Sequence, residues 1–89
     1  MDHLDGNAVA GPLADYFSFD VTAARARCNA CGEVAEFARA LVFRSPAGTV
    51  VRCRSCEHVL ATLVEADDRA WIGLRGLTAI EVRRTTTEG

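Results

Sequence analysis

From Thr22 onward apolar and polar residues alternate in short runs, and turn-forming residues separate the runs. This period of two is the signature of a small antiparallel sheet. Strands are predicted over 22–27, 37–44, 49–53, 58–65, 71–75 and 77–82. Ser45-Pro46-Ala47-Gly48 turns one hairpin, and Asp67-Asp68 marks another. Phe37, Leu41 and Phe43 share one side of their strand, as do Val59, Ala61 and Leu63, so these two sets are expected to build the core. The alanines and glutamates of 34–41 would equally suit a turn of helix.

The first part of the chain has a different pattern. Leu4, Val9, Leu13, Tyr16 and Phe17 can form one apolar side of a helix over 5–18, with Asp5 or Asn7 as its cap. Gly11-Pro12 restarts the helix with proline in its first turn, so the prediction is a kinked helical extension. Residues 1–24 hold Asp2, Asp5, Asp15 and Asp20 and no arginine. Tyr16 and Phe17 then either cover the sheet or dock this acidic arm on a protein partner. The organisation expected is an arm over 1–21, a β domain over 22–83 and a frayed polar tail over 84–89.

Length changes the picture, because 89 residues allow one domain with a modest core that calls for a staple. Nearly half the residues are apolar and a quarter are charged, a globular balance. No apolar run approaches the roughly 20 residues of a membrane span, and 1–11 lacks the basic start and apolar stretch of a signal peptide. A cytoplasmic location is expected.

Thiols stay reduced there, so four cysteines in two close pairs are read as metal ligands, with two disulfides as the alternative. Cys28-Asn-Ala-Cys31-Gly32 and Cys53-Arg-Ser-Cys56-Glu57 are each a Cys-x-x-Cys turn, and 21 residues lie between Cys31 and Cys53. Two intervening residues let the backbone fold back so that both sulfurs aim at one ion while nearby amides donate to them. The 21 residues suit a β-hairpin that returns the second turn to the first. Together this predicts a zinc-stabilised, mostly β domain, ribbon-like, with one Zn²⁺ on Cys28, Cys31, Cys53 and Cys56. Four thiolates fill a tetrahedral shell and leave no position for an activated water, so the metal is expected to be structural. The loaded centre carries net charge −2, and Arg27, Arg52 and Arg54 lie beside its ligands in sequence. His58 follows Cys56 closely but finds the shell complete, and is read as a strand residue.

No catalytic constellation accompanies the metal. His3 and His58 are the only histidines, no serine sits in a nucleophile turn, and no glycine-rich phosphate loop exists, so the chain is not expected to be an enzyme. Trp71 is read as a core residue, with base stacking or an interface as alternatives. Nucleic-acid binding is weighed against charge. Six of the ten arginines fall between Arg25 and Arg54, opposed there only by Glu33 and Glu36, yet the whole chain is −2. Nucleic-acid binders carry a stronger basic footprint, so a protein partner is favoured over nucleic acid.

His3-Leu-Asp-Gly-Asn-Ala, Gly11-Pro12-Leu13, the two cysteine turns and Trp71-Ile-Gly-Leu-Arg-Gly-Leu77 resemble an uncharacterised family of short bacterial zinc-ribbon proteins. The resemblance spans nearly the whole chain and implies a stand-alone ribbon with the metal on the same four cysteines. It also implies an accessory role, alongside an oxidoreductase. Cys28-x-x-Cys31-Gly32 is similar as well to the iron turns of rubredoxin-like electron carriers, which makes iron the alternative metal. The second turn departs from that pattern, with Glu57 in place of glycine.

Overall fold

The computed structural model describes residues 4–14, 16–17 and 19–82; the expected tail over 84–89 lies outside them. In chain order the elements are β1 (Leu4–Asp5), a 3₁₀ turn (Gly6–Val9), α1 (Ala10–Ala14), a 3₁₀ turn (Val21–Ala23), β2 (Arg25–Cys28), β3 (Val34–Glu36), a 3₁₀ turn (Phe37–Arg39), β4 (Leu41–Ser45), β5 (Gly48–Arg52), β6 (Val59–Glu65), β7 (Ala70–Gly73) and β8 (Leu77–Glu81). They form two antiparallel sheets. One has the order β1-β4-β5-β6-β7, and the other β3-β2-β8. The mostly β class and the hairpin turns stand as expected: Ser45 pairs with Gly48 across the Pro46-Ala47 turn, and Ala66 N–H donates to Arg69 C=O around Asp67-Asp68.

The N-terminal segment departs from expectation. Among the described residues of 5–18, the expected helical extension is replaced by a strand, turns and five residues of α geometry, Ala10–Ala14. Leu4 and Asp5 pair with Val42 and Leu41 in the larger sheet. Asp5 does cap, accepting from Asn7 N–H at 3.1 Å, but it caps a single 3₁₀ turn. Tertiary packing explains the difference, because Val9 and Leu13 are buried with Val42 and Phe37 in one cluster. Burying those two side chains against the sheets stabilises more than a short isolated helix could.

Two further expectations about facing are corrected. The predicted strand 37–44 is broken by the turn Phe37–Arg39, where the chain leaves the smaller sheet for the larger one. Phe37 is buried, but parity does not carry past the turn. Val42 is therefore the fully buried residue of β4, and Leu41 and Phe43 lie half-buried beside it. On β6 a register shift opposes Ala61 to Val51 and Val59 to Arg52, leaving Leu60 as the extra residue of a bulge. Leu60 and Ala61 are consequently both buried, and Val59 only partly so. The predicted strand 22–27 also begins later, since Asp20 accepts from Thr22 N–H at 3.1 Å and from its hydroxyl at 2.6 Å and holds Val21–Ala23 in a turn.

The core unites both sheets and the N-terminal segment: Val9, Leu13, Val21, Ala26, Phe37, Val42, Val51, Leu60, Ala61 and Leu63, closed at one end by Cys28 and Cys53. Trp71 is not in it. The side chain is 54% exposed on β7, the outermost strand of the larger sheet. Phe17 packs against the core, whereas Tyr16 is exposed and its hydroxyl donates to Glu65 Oε2 at 2.8 Å.

Candidate metal centre

Each cysteine pair is built by the same local hydrogen bonds. Cys28 ends β2; its N–H donates to Glu33 C=O at 3.0 Å, Gly32 N–H donates to Cys28 C=O at 2.9 Å, and Ala30 N–H approaches Cys28 Sγ at 3.4 Å. Cys53 follows β5 and repeats the pattern. Its N–H donates to His58 C=O at 2.8 Å, Glu57 N–H donates to Cys53 C=O at 2.8 Å, and Ser55 N–H approaches Cys53 Sγ at 3.4 Å. Such a knuckle needs its fifth residue in the left-handed region. Gly32 has φ +78°, and Glu57 takes the same place at φ +64° despite its side chain. Arg52 secures that conformation by donating to Glu57 C=O at 3.0 Å.

The two knuckles come from different sheets. One closes the β2–β3 hairpin, the other the β5–β6 hairpin, and their sulfurs converge. Cys28 Sγ lies 3.6 Å from Cys56 Sγ and Cys31 Sγ 3.7 Å from Cys53 Sγ, with all four sulfurs within 4.8 Å of one another. A tetrahedron with metal–sulfur bonds of about 2.3 Å has edges of about 3.8 Å. The 3.6 and 3.7 Å separations match it, and both are far above the roughly 2 Å of a disulfide. The four cysteines are positioned to hold one metal ion. The 21 residues after Cys31 do more than form the expected hairpin: they cross from β3 in one sheet to β4 and β5 in the other.

The thiols differ in environment. Cys28 and Cys53 are buried, while Cys31 and Cys56 are exposed. Burial works against the Cys28 thiolate, but the amides of Cys31 and Ala30 and the neighbouring thiols outweigh it and lower Cys28 to about 7. At Cys56 the His58 amide favours the thiolate; desolvation and the three other sulfurs prevail and push it up to about 12. Cys31 is raised too, the amide of Glu33 being outweighed by desolvation and by Cys53 and Cys28. Bringing all four sulfurs to the thiolate form at this spacing calls for a cation in their midst.

Supporting residues fall into those the sequence pointed to and those it did not. Arg52 and Arg54 are brought to the second knuckle: Arg52 also lies 5.8 Å from the Phe43 ring centre, and Arg54 donates to Arg39 C=O at 3.3 Å. Arg27 is on the exposed face of β2. His58 is exposed and contributes its backbone carbonyl to the knuckle. Sequence reasoning missed Asn29, whose N–H donates to Gly76 C=O and whose amide donates to Arg75 C=O, both at 2.9 Å. It also missed the Ser55 hydroxyl, which bridges the knuckles by donating to Glu33 Oε1. Gly76 makes the Asn29 brace fit, since a Cβ there would stand 1.8 Å from Val59 O. The signal in the sequence was the second glycine of Gly73-Leu-Arg-Gly76.

Among the described residues no helix is long and apolar enough to cross a membrane. A model of a family of unknown function, DUF6510, matches residues 1–85 of the chain. No curated protein and no solved structure matches it.

Proposed function

The chain belongs to the DUF6510 family, and from that starting point we propose that it is a ribbon-like module in which Cys28, Cys31, Cys53 and Cys56 hold one structural Zn²⁺, serving as a protein-interaction or accessory module in the cytoplasm. One observation carries this reading: the four sulfurs arrive as two pre-shaped knuckles from two separate sheets and meet at tetrahedral spacing. Bound there, the ion would clamp the sheets together. With four protein ligands it would have no open position, which argues for scaffolding and against catalysis.

Charge placement supports a protein partner over a nucleic acid. The arginines that made the central segment basic are largely committed to the fold. Arg25 stands between Glu36 and Glu81 in the register of the smaller sheet, Arg44 donates to Ala8 C=O, and Arg52 and Arg54 brace the second knuckle. Counterion release needs several cations presented together, and this arrangement disperses them.

Metal analysis of purified protein tests the first half of the proposal. One zinc per chain, a colourless solution and loss of the ion in Cys→Ser variants at each of the four positions are expected, with His58→Ala retaining it. A red protein carrying one iron would favour the rubredoxin-like alternative. Titration with labelled single- and double-stranded oligonucleotides at about 150 mM salt, where screening sets in beyond roughly 8 Å, tests the second half. Salt-sensitive micromolar binding that disappears on replacing Arg52 and Arg54 would overturn it.

A further inference from the structure

The two cysteine knuckles also shape a cavity outside the metal centre. On the outer face of the larger sheet, opposite the core, Phe43, Val50, Thr62 and Gly73 form one row across β4, β5, β6 and β7. Leu41, Arg52 and Val59 form the row beside it on the side of the knuckles, and Val64 and Trp71 the row on the other. Gly73 brings no side chain to its row, and the Thr62 hydroxyl covers its backbone, 2.9 Å from where a Cβ would be. The face is hollow there. A cavity of about 390 Å³ is lined by Val59, Thr62 and Gly73 together with Asn29, His58 and Arg75. Volumes of roughly 300–1,000 Å³ suit a small ligand or one anchoring group of a larger one.

The cavity offers donors that nothing in the fold uses. Arg75, His58 and Thr62 carry N–H or O–H groups, and among the described residues none of these three side chains has a hydrogen-bond or ion-pair partner. No carboxylate lines the cavity. Arg25 shows the contrast, since it lines a cavity together with Glu36 and Glu81, which balance its charge. Each knuckle holds one of the donor residues by its backbone: the Asn29 amide donates to Arg75 C=O at 2.9 Å, and Cys53 N–H donates to His58 C=O at 2.8 Å. The main chain at both donors is thus fixed before a ligand arrives, which lowers the ordering cost of binding.

Building on the reading of the chain as a protein-interaction module, we propose that this cavity is a carboxylate-binding site, filled by an acidic side chain of a partner whose neighbouring apolar residues lie on Val64 and Trp71. Charge selects the occupant. Arg52 and Arg75 put two guanidinium groups at this end of the face, enough to offset the net −2 of a loaded tetrathiolate centre. A monoanion then meets unpaired donors at little cost, whereas a phosphate dianion doubles the repulsion from the centre. Surface selects a peptide over a small free acid. Val64 and Trp71 are 40% and 54% exposed in the row next to Thr62 and Gly73, and a peptide covers this apolar surface where a small acid leaves it bare.

The test uses zinc-loaded full-length protein and its amide NMR spectrum. Four probes are titrated at about 150 mM salt: a capped peptide of alternating leucine and glutamate, the same peptide with glutamine in place of glutamate, benzoate, and inorganic phosphate. The glutamate peptide should shift the amides of Val59, Thr62 and Gly73 and change the fluorescence of Trp71, the sole tryptophan. It should bind at least about tenfold tighter than each of the other probes. Arg75→Gln should weaken it at least about tenfold and Arg75→Lys much less. Arg69→Gln, the same charge change at a guanidinium that Asp68 already pairs, should leave it unaltered. Equal binding of the glutamine peptide, benzoate or phosphate, shifts that map to another face, or an Arg75→Gln variant that binds as the parent does would overturn the proposal. Metal content of the same samples separates the two readings: a protein that holds one zinc and binds no glutamate peptide refutes this site alone, and one that retains no zinc refutes the module on which it rests.

Discussion

Stripping the metal from Cys28, Cys31, Cys53 and Cys56 is expected to abolish the folded state, not merely loosen the knuckles. Stabilities of about 0.05–0.15 kcal/mol per residue put a chain of this length at about 4–13 kcal/mol. A structural tetrathiolate zinc contributes on the order of 10 kcal/mol or more, so its removal takes away most or all of that margin. The structure shows where the loss falls. Cys28 and Cys53 are 2% and 5% exposed and close one end of the core, and the knuckles they belong to stand on different sheets. Without the ion, thiols forced together lose their common attraction, and the side-chain hydrogen bonds of Ser55, Asn29 and Arg54 are left to link the knuckles to the elements facing them. Chelation at neutral pH under reducing conditions, followed by metal analysis, far-UV spectra and thermal melts, is the assay. Loss of the β signal together with the melting transition is the expected result. A verified metal-free protein that melts within a few degrees of the loaded one would refute the argument, since even 1 kcal/mol shifts a domain of this size by about 4–8 °C.

Other outcomes are equally definite. Gly76→Ala should destabilise by on the order of 2–3 kcal/mol in denaturant titration, because its Cβ meets Val59 O and Leu60 Cα and displaces the loop that holds Asn29. The fifth positions of the knuckles should respond oppositely: Gly32→Ala costs about 1 kcal/mol, while Glu57→Gly is neutral or stabilises by up to about 1 kcal/mol, both readable from melts of loaded protein. Metal affinity should fall as pH falls from 8 to 6. Cys56 and Cys31 have raised values, so both hold protons that the ion must displace throughout this window, and Cys28, at about 7, joins them as pH drops; competition with a chromophoric chelator measures the slope. Asp20, whose value is lowered by its hydrogen bonds to Thr22, stabilises the fold above the ordinary carboxylate range and ceases to as pH falls through its own value, so Asp20→Asn should flatten the acid limb of a stability–pH curve.

The metal centre was the most legible part of the chain, since two Cys-x-x-Cys turns fix local geometry that depends on little else. Strand positions from Leu41 to Glu65 and the Ser45–Gly48 turn were legible for the same reason, as alternation and turn chemistry are local. Facing was not. Whether Leu41 or Val42 points inward depends on the Phe37–Arg39 turn resetting the count, and the burial of both Leu60 and Ala61 depends on a bulge that alternation cannot announce. The N-terminal segment misled because apolar spacing near four residues suits a helix, whereas Val9 and Leu13 reach the core from a turn and a short α segment. Trp71 misled because its place depends on which strand ends the sheet, a property of topology and not of neighbours in sequence.

The repeated hydrogen bonding of the two knuckles has a consequence for how the molecule assembles. Each knuckle is closed by contacts spanning no more than six residues, so either hairpin presents a two-sulfur claw before the rest of the chain has found its place. Capture of an ion by one claw then turns the search for the other into the closure of a single loop of about 20 residues, with an entropic cost on the order of 3 kcal/mol. The slow, non-local step of building two sheets is thereby reduced to one tethered encounter. Metal supplied during refolding should accordingly raise the rate of folding as well as the final yield.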